Sequence, residues 1–316
     1  MDRATIGAAA LFEIKNRPFK WAAIFLAKIL VWVVWIGGCL YGLCTVHSMG
    51  ATLALQAVLG AAYAHGVELQ HQALHQSGFK SRSASRIFGI ILGLPMLVSY
   101  SSYQDSHLFH HNKLGTVEDS EFFEYGDKAE RRITSIFKHF FLVNHFCDFL
   151  KNVIDALNGR PFKTRMIARN SGKMRTEYSL MAAAFFGAAA LAAHFDSDLF
   201  FRLWVLPLFV FAAPIHALIE LPEHFRCNKA TTDVFENTRS VKAHPIVTWF
   251  TNGNNYHVEH HWIASLPIEQ LASIHKQIEG QIVHLSSSYP AFYREFFTNL
   301  LRGVVEPRFD SPLDDH

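Results

Sequence analysis

Three groups of histidines carry spacings suited to metal chemistry: His71 and His75 in HQALH, His107, His110 and His111 in HLFHH, and His257, His260 and His261 in HVEHH. On a helix, residues i and i+4 project from one face about 6 Å apart along the axis, so each pair of imidazoles can grip one ion. In the i, i+3, i+4 pattern the first ring shares that face with the last two. At this chain's histidine frequency an H-x-x-H-H pattern arises by chance about 0.07 times per sequence, and two copies about 0.002. The repetition is therefore a signal and not a by-product of histidine abundance.

Imidazole suits zinc, copper, iron and nickel alike, so ligand type alone does not select the metal. Ligand number narrows the choice. Eight histidines exceed what one tetrahedral zinc uses and fit two ions with four or five ligands each. A zinc-dependent membrane hydrolase would leave most of them unexplained. A metal transporter would place its site near the bilayer midplane on broken helices, whereas these clusters lie outside the apolar stretches. Soluble di-iron bundles use Glu and Glu-x-x-His ligands, a pattern absent here.

The elements that must position these residues are written in the hydropathy. Half of the 316 residues are hydrophobic, and the mean hydropathy is slightly positive. Four stretches, about 21–46, 51–70, 179–195 and 199–220, reach or approach the roughly 20 apolar residues needed to cross a bilayer as a helix. Lys28 sits near enough to one end of the first to snorkel. A fifth run, Ile87 to Tyr100, is shorter, broken by Gly89, Gly93 and Pro95, and reads as interfacial or re-entrant. The connections near His47 to Gly50 and His194 to Asp198 contain no Lys or Arg. The segment 101–178 carries twelve, and the segment after 220 carries eight. By the positive-inside tendency both long segments face the cytoplasm, and the polar first twenty residues read as a short cytoplasmic lead.

The expectation is an all-α, multi-pass integral membrane protein, a single domain over 1–316. It has four transmembrane helices and a cytoplasmic helical cap (71–178 and 221–316) that holds a His-rich di-iron site. The net charge of +2 excludes nucleic acid as an expected partner. The cysteines, Cys39, Cys44, Cys147 and Cys227, form no C-x-x-C pair, which excludes a zinc ribbon or a built-in rubredoxin.

The order HxxxH, HxxHH, HxxHH around apolar spans resembles the membrane fatty-acid desaturase and hydroxylase superfamily, over about residues 20 to 280. GNNYHVEHH, followed by Pro267, resembles that family's third box, and LPEHFRCN around His224 resembles its additional histidine after the fourth span. The resemblance implies two Fe2+ ions held by His71, His75, His107, His110, His111, His224, His257, His260 and His261. It also implies dioxygen as oxidant and no catalytic residues beyond the ligands. The first box departs from the family in having Gln72 where a Glu often stands, leaving Glu68 as a possible substitute. The expected reaction is O2-dependent desaturation of an acyl chain or acyl-like substrate. Hydroxylation, or desaturation of a small specialised metabolite, is the alternative for the same centre.

Imidazole ligands are usually oriented by a partner that accepts their second N–H. Asp105, Asp119, Glu220, Glu223 and Glu259 lie near the boxes for that purpose, and Asn254 and Asn255 stand just ahead of the third box. His65 falls on the opposite side of its helix from His71 and reads as structural. His216, deep in an apolar run, reads as a hydrogen-bonded packing residue. His139, His145, His194, His244, His275, His284 and His316 have no cluster partners. With no GxGxxG or His-Pro-Gly-Gly motif, the electrons are expected from outside, from a ferredoxin or a cytochrome with its NAD(P)H reductase. Lys128, Arg131 and Arg132 are candidates for docking an acidic carrier.

Overall fold

The computed structural model describes residues 3–15, 19–119 and 132–302. The described residues are predominantly helical: α1 (Arg3–Lys15), α2 (Phe19–Thr45), α3 (Met49–Leu74), α4 (Arg82–Gly93), α5 (Tyr100–Lys113), α6 (Arg132–Phe140), α7 (Val143–Leu157) and α8 (Asn170–His194). Two π-helical stretches, Phe201–Val205 and Pro207–Ala212, lead into α9 (Ala213–Glu220). Then come α10 (Val234–Asn237), β1 (Arg239–Val241), α11 (Pro245–Phe250), α12 (His257–Trp262), α13 (Ile268–Ile278), β2 (His284–Ser286) and α14 (Tyr289–Leu301). The chain divides into two compact units, one of residues 22–107 and 136–218, the other of 1–21, 108–135 and 219–316. The docking candidates Lys128 and Arg131, and the side chain of Arg132, lie outside what is described.

The first unit is organised around α3. Its glycines let neighbours approach closely: a Cβ at Gly60 would lie 2.8 Å from the Pro207 carbonyl oxygen, and one at Gly66 would lie 2.7 Å from that of Leu92. Trp32 Nε1 donates to the Ala62 carbonyl at 2.7 Å, joining α2 to α3. Helices Lys20–Thr45, Asn170–His194 and Phe201–Glu220 are long and apolar enough to cross a membrane. The expected second stretch, 51–70, lies within α3, which is not among them. Gln56, His65, Glu68 and Gln70 dilute its apolar character, and it is buried without a break from Ala62 to Leu74. A helix wrapped by other protein need not offer an apolar face to lipid.

The run Ile87 to Tyr100 does not pass straight on: Arg82–Met96 and Tyr100–Lys113 meet at 97°. Pro95 ends the hydrogen-bond ladder, and Leu97 adopts a left-handed φ of 59° at the corner. The corner is anchored by Glu177 of α8, which is fully buried. Its carboxylate accepts from Ser99 Oγ (2.8 Å), Ser101 N (2.8 Å) and Ser101 Oγ (2.7 Å), and pairs with Arg86 at 2.9 Å. A carboxylate there caps the open N–H groups of α5, the helix that carries the second histidine box, and favours its positive dipole end.

The second unit has its own core of α1, α10, α12 and α13 side chains, with Ile6, Phe235, Val258, Leu271 and Ile278 all buried. β1 and β2 pair in parallel, Arg239 opposite His284 and Val241 opposite Ser286. The left-handed pair Asn252 (φ 48°) and Gly253 (φ 80°) turns the chain into the third box. Ser240 Oγ accepts from Val258 N and donates to Glu259 Oε2, fixing the start of α12 against β1.

Candidate metal centre

In the first unit, the last turn of α3 presents His71 and His75, and α5 presents His107. His71 Nε2 and His107 Nε2 are 2.8 Å apart. Ring centroids lie 4.9 Å apart for His71 and His75 and 5.1 Å for His75 and His107. One ligand nitrogen from each of the three falls within 4.8 Å of the others. Tyr103, one turn before His107, packs on both His71 and His107, with centroids at 6.3 and 5.4 Å.

In the second unit, α12 places His257, His260 and His261 on one buried face, and the Pro222–Phe225 turn delivers His224. Arg239 holds that turn: its Nε donates to Pro222 O (3.1 Å) and its Nη2 to Phe225 O (2.8 Å). His110, His224 and His261 bring ligand atoms within 4.8 Å of one another. His110 Nε2 is 3.1 Å from His224 Nε2, which is 3.3 Å from His257 Nε2, which is 3.0 Å from His261 Nε2. His111 stacks on His261 at 4.0 Å between centroids and lies 4.7 Å from His260.

The opposite nitrogens explain why these rings suit a cation. His110 Nδ1 is 3.0 Å from the Asp119 carboxylate, His224 Nδ1 is 3.0 Å from the Asn237 carbonyl, and His257 Nδ1 is 3.1 Å from Asn254 Oδ1. Asn254 is itself oriented, since its Nδ2 donates to Glu223 Oε1 at 2.6 Å. Each oxygen can only accept, so each Nδ1 bears the proton, and a neutral ring must then present a bare Nε2 lone pair. Three such lone pairs converge with none of the three protons left to share between them. Burial, and then the neighbouring His111, His257, His110 and His224, hold the His261 pKa well below the ordinary histidine value, favouring the neutral form that a metal needs. Nitrogens bonded to one first-row ion at about 2.0–2.1 Å lie about 2.9–3.4 Å from each other, which matches the observed separations.

The candidate orienting residues divide. Asp119, Glu223 and Asn254 contact box histidines as described, with Glu223 Oε2 also 3.3 Å from His257 Nε2. Asp105 instead turns its carboxylate to the backbone N–H groups of Arg165, Met166 and Ile167 (2.6–3.1 Å), because an irregular segment before α8 supplies donors with no helical partner. Asn255 Nδ2 donates to the Val241 carbonyl and so ties down β1. Glu259 faces Ser240 and His275, so His275 is not an isolated histidine after all. Glu68 lies 3.3 Å from His216 Nδ1, and Glu220 ends α9, half-buried. His65 is fully buried and its ring lies 6.0 Å from Trp35. The Asn237 carbonyl and Tyr103 were not foreseen. A backbone carbonyl leaves no trace in residue identity, whereas Tyr103, four residues before His107, could have been found by its helical spacing.

The family model described as fatty acid desaturase matches residues 47–293, which include all three boxes and His224. Comparison with curated proteins returns no match. Membership brings oxidoreductase chemistry of the desaturase and hydroxylase type, in keeping with the membrane-length helices and paired histidine clusters. By the match to most of its length, this chain belongs to the fatty acid desaturase family.

Proposed function

We propose that the protein desaturates an acyl chain or acyl-like substrate with dioxygen, at a di-iron centre held by His71, His75, His107, His110, His111, His224, His257, His260 and His261. The observation that supports this most strongly is the set of imidazoles locked by Asp119, Asn237 and Asn254 so that bare Nε2 atoms converge at metal-ligand separations. His71, His75 and His107 offer one ligand set and His110, His224, His257 and His261 another, with His111 and His260 bringing the number to nine. When bound, iron supplies the redox chemistry that turns dioxygen into an oxidant able to remove hydrogen from an unactivated C–H bond.

The chain's own residues hold and orient that chemistry. Asp119, Glu223 and Asn254 keep the rings in one tautomer, and burial of the ligand face limits water at the reacting atoms. The reading includes four spans, with α3 as the second, both termini and all boxes on the cytoplasmic side, and electrons from an external carrier. It is tested by expressing the chain in a host that lacks the activity and comparing extracts by mass spectrometry. A lipid or lipid-like product two mass units lighter, lost in His107→Ala, is expected; no mass change from iron-loaded, reductant-supplied protein would contradict it.

A further inference from the structure

The first unit contains a cavity of about 360 Å3 whose use the metal chemistry does not explain. It is formed where the start of α5 meets α7 and α8, and its walls include Ser99, Ser102, Tyr103, Ser106, His145, Asp148, Asn152 and Tyr178. The size is within the range of sites that take small molecules or the end group of a larger one. Tyr103 forms part of the wall and also packs on His71 and His107. Ser106 immediately precedes His107. A group seated in the cavity is thus one side chain away from the first histidine cluster.

The hydrogen-bonding character of the wall selects the group. Four of its donors are already spent on protein: Ser99 Oγ on Glu177 (2.8 Å), Ser106 Oγ on the Tyr103 carbonyl (3.2 Å), Asn152 Nδ2 on Tyr178 Oη (3.0 Å) and His145 Nε2 on the Met96 carbonyl (3.0 Å). A neutral His145 with its proton on Nε2 presents an acceptor at Nδ1. Asn152 retains its amide oxygen, and Asp148 adds an exposed carboxylate where it lines the cavity. No Lys or Arg lines it. Such a wall accepts hydrogen bonds and repels negative charge, so a carboxylate or phosphate end group would lose its hydration for nothing in return.

We infer that this cavity seats a hydrogen-bond-donating, non-anionic end of the substrate, a hydroxyl or an ammonium, beside the first histidine cluster. Its assignment to substrate rests on the oxygenase reading, while the binding preference does not. The substrate class is accordingly an amphiphile ending in alcohol or amine groups, and not a free fatty acid or an acyl phosphate.

The test measures binding without turnover, using protein in nanodiscs and four probes of one dodecyl chain that end in a primary amine, a vicinal diol, a carboxylate or a phosphate. The amine and diol should bind at least about tenfold more tightly than the two anions. Asp148→Asn should remove the advantage of the amine over the diol while leaving diol binding in place. Ser102→Phe, which fills the cavity, should weaken both by about tenfold. Equal or tighter binding of the anions, or probe binding indifferent to both substitutions, overturns the proposal. Because Asp148→Asn is nearly isosteric at an exposed site, it remains informative if Ser102→Phe does not fold. The preference in a preparation that takes up no iron supports the cavity assignment while removing the di-iron reading. Its absence in iron-replete protein overturns the cavity assignment alone.

Discussion

Asp119 and His110 illustrate how a residue beyond the ligand set decides what a ligand can do. The carboxylate fixes the His110 proton on Nδ1 and so leaves Nε2 to bind. Asp119→Asn keeps the shape but permits the amide to donate, which favours the wrong tautomer. Metal affinity should fall about 10- to 100-fold, as measured by competition with a chelator, and unchanged affinity would show that Asp119 does not orient the ring. The nine box and additional histidines differ from the other buried ones in this respect. His224→Ala should abolish metal-dependent turnover, whereas His65→Ala and His216→Ala should retain much of it. Comparable loss in all three, assayed at equal folded protein, would argue against that division. The boxes were legible because spacing on a helix is a property of sequence. The Asn237 carbonyl and the Glu259–His275 contact were not, since both join residues brought together only by the β1 and α12 packing.

Among the elements, α5 depends most on a residue distant in sequence. Glu177 lies 76 residues from Ser101, yet it caps the helix that carries His107, His110 and His111. Glu177→Gln removes the buried charge opposite Arg86 and replaces acceptors with donors at three bonds. The expected cost is about 3 kcal/mol, read as a lower melting temperature in detergent together with weaker metal retention. A variant of unaltered melting temperature would exclude the clamp as a support. Long apolar runs made α2, α8 and the Phe201–Glu220 helix readable from sequence, and the Gly and Pro residues before Tyr100 marked the bent pair. The polar composition of α3 hid its place as a central helix, because Glu68 and Gln70 are satisfied by protein and not by the lipid that a hydropathy reading assumes. The three-residue strands β1 and β2 are too short for any periodicity to announce.

For the whole molecule, the central claims concern sidedness, electrons and metal. With Cys44 and Cys147, both exposed, first replaced, a single cysteine at the exposed Asn112 should resist an impermeant reagent in intact cells and react after lysis. Labelling before lysis would refute the cytoplasmic placement of the boxes. The electron account predicts that chemically reduced protein makes at most about one product per metal pair and then stops, since two electrons are consumed in each cycle. A ferredoxin or cytochrome with its reductase should restore continued turnover, and many turnovers from NAD(P)H and the purified chain alone would contradict it. The most direct test of the whole account is metal analysis of the purified chain after anaerobic reconstitution with ferrous iron and removal of loosely held ions. The account predicts close to two irons per chain and a marked loss in His224→Ala; one tightly held zinc that iron cannot replace would contradict it.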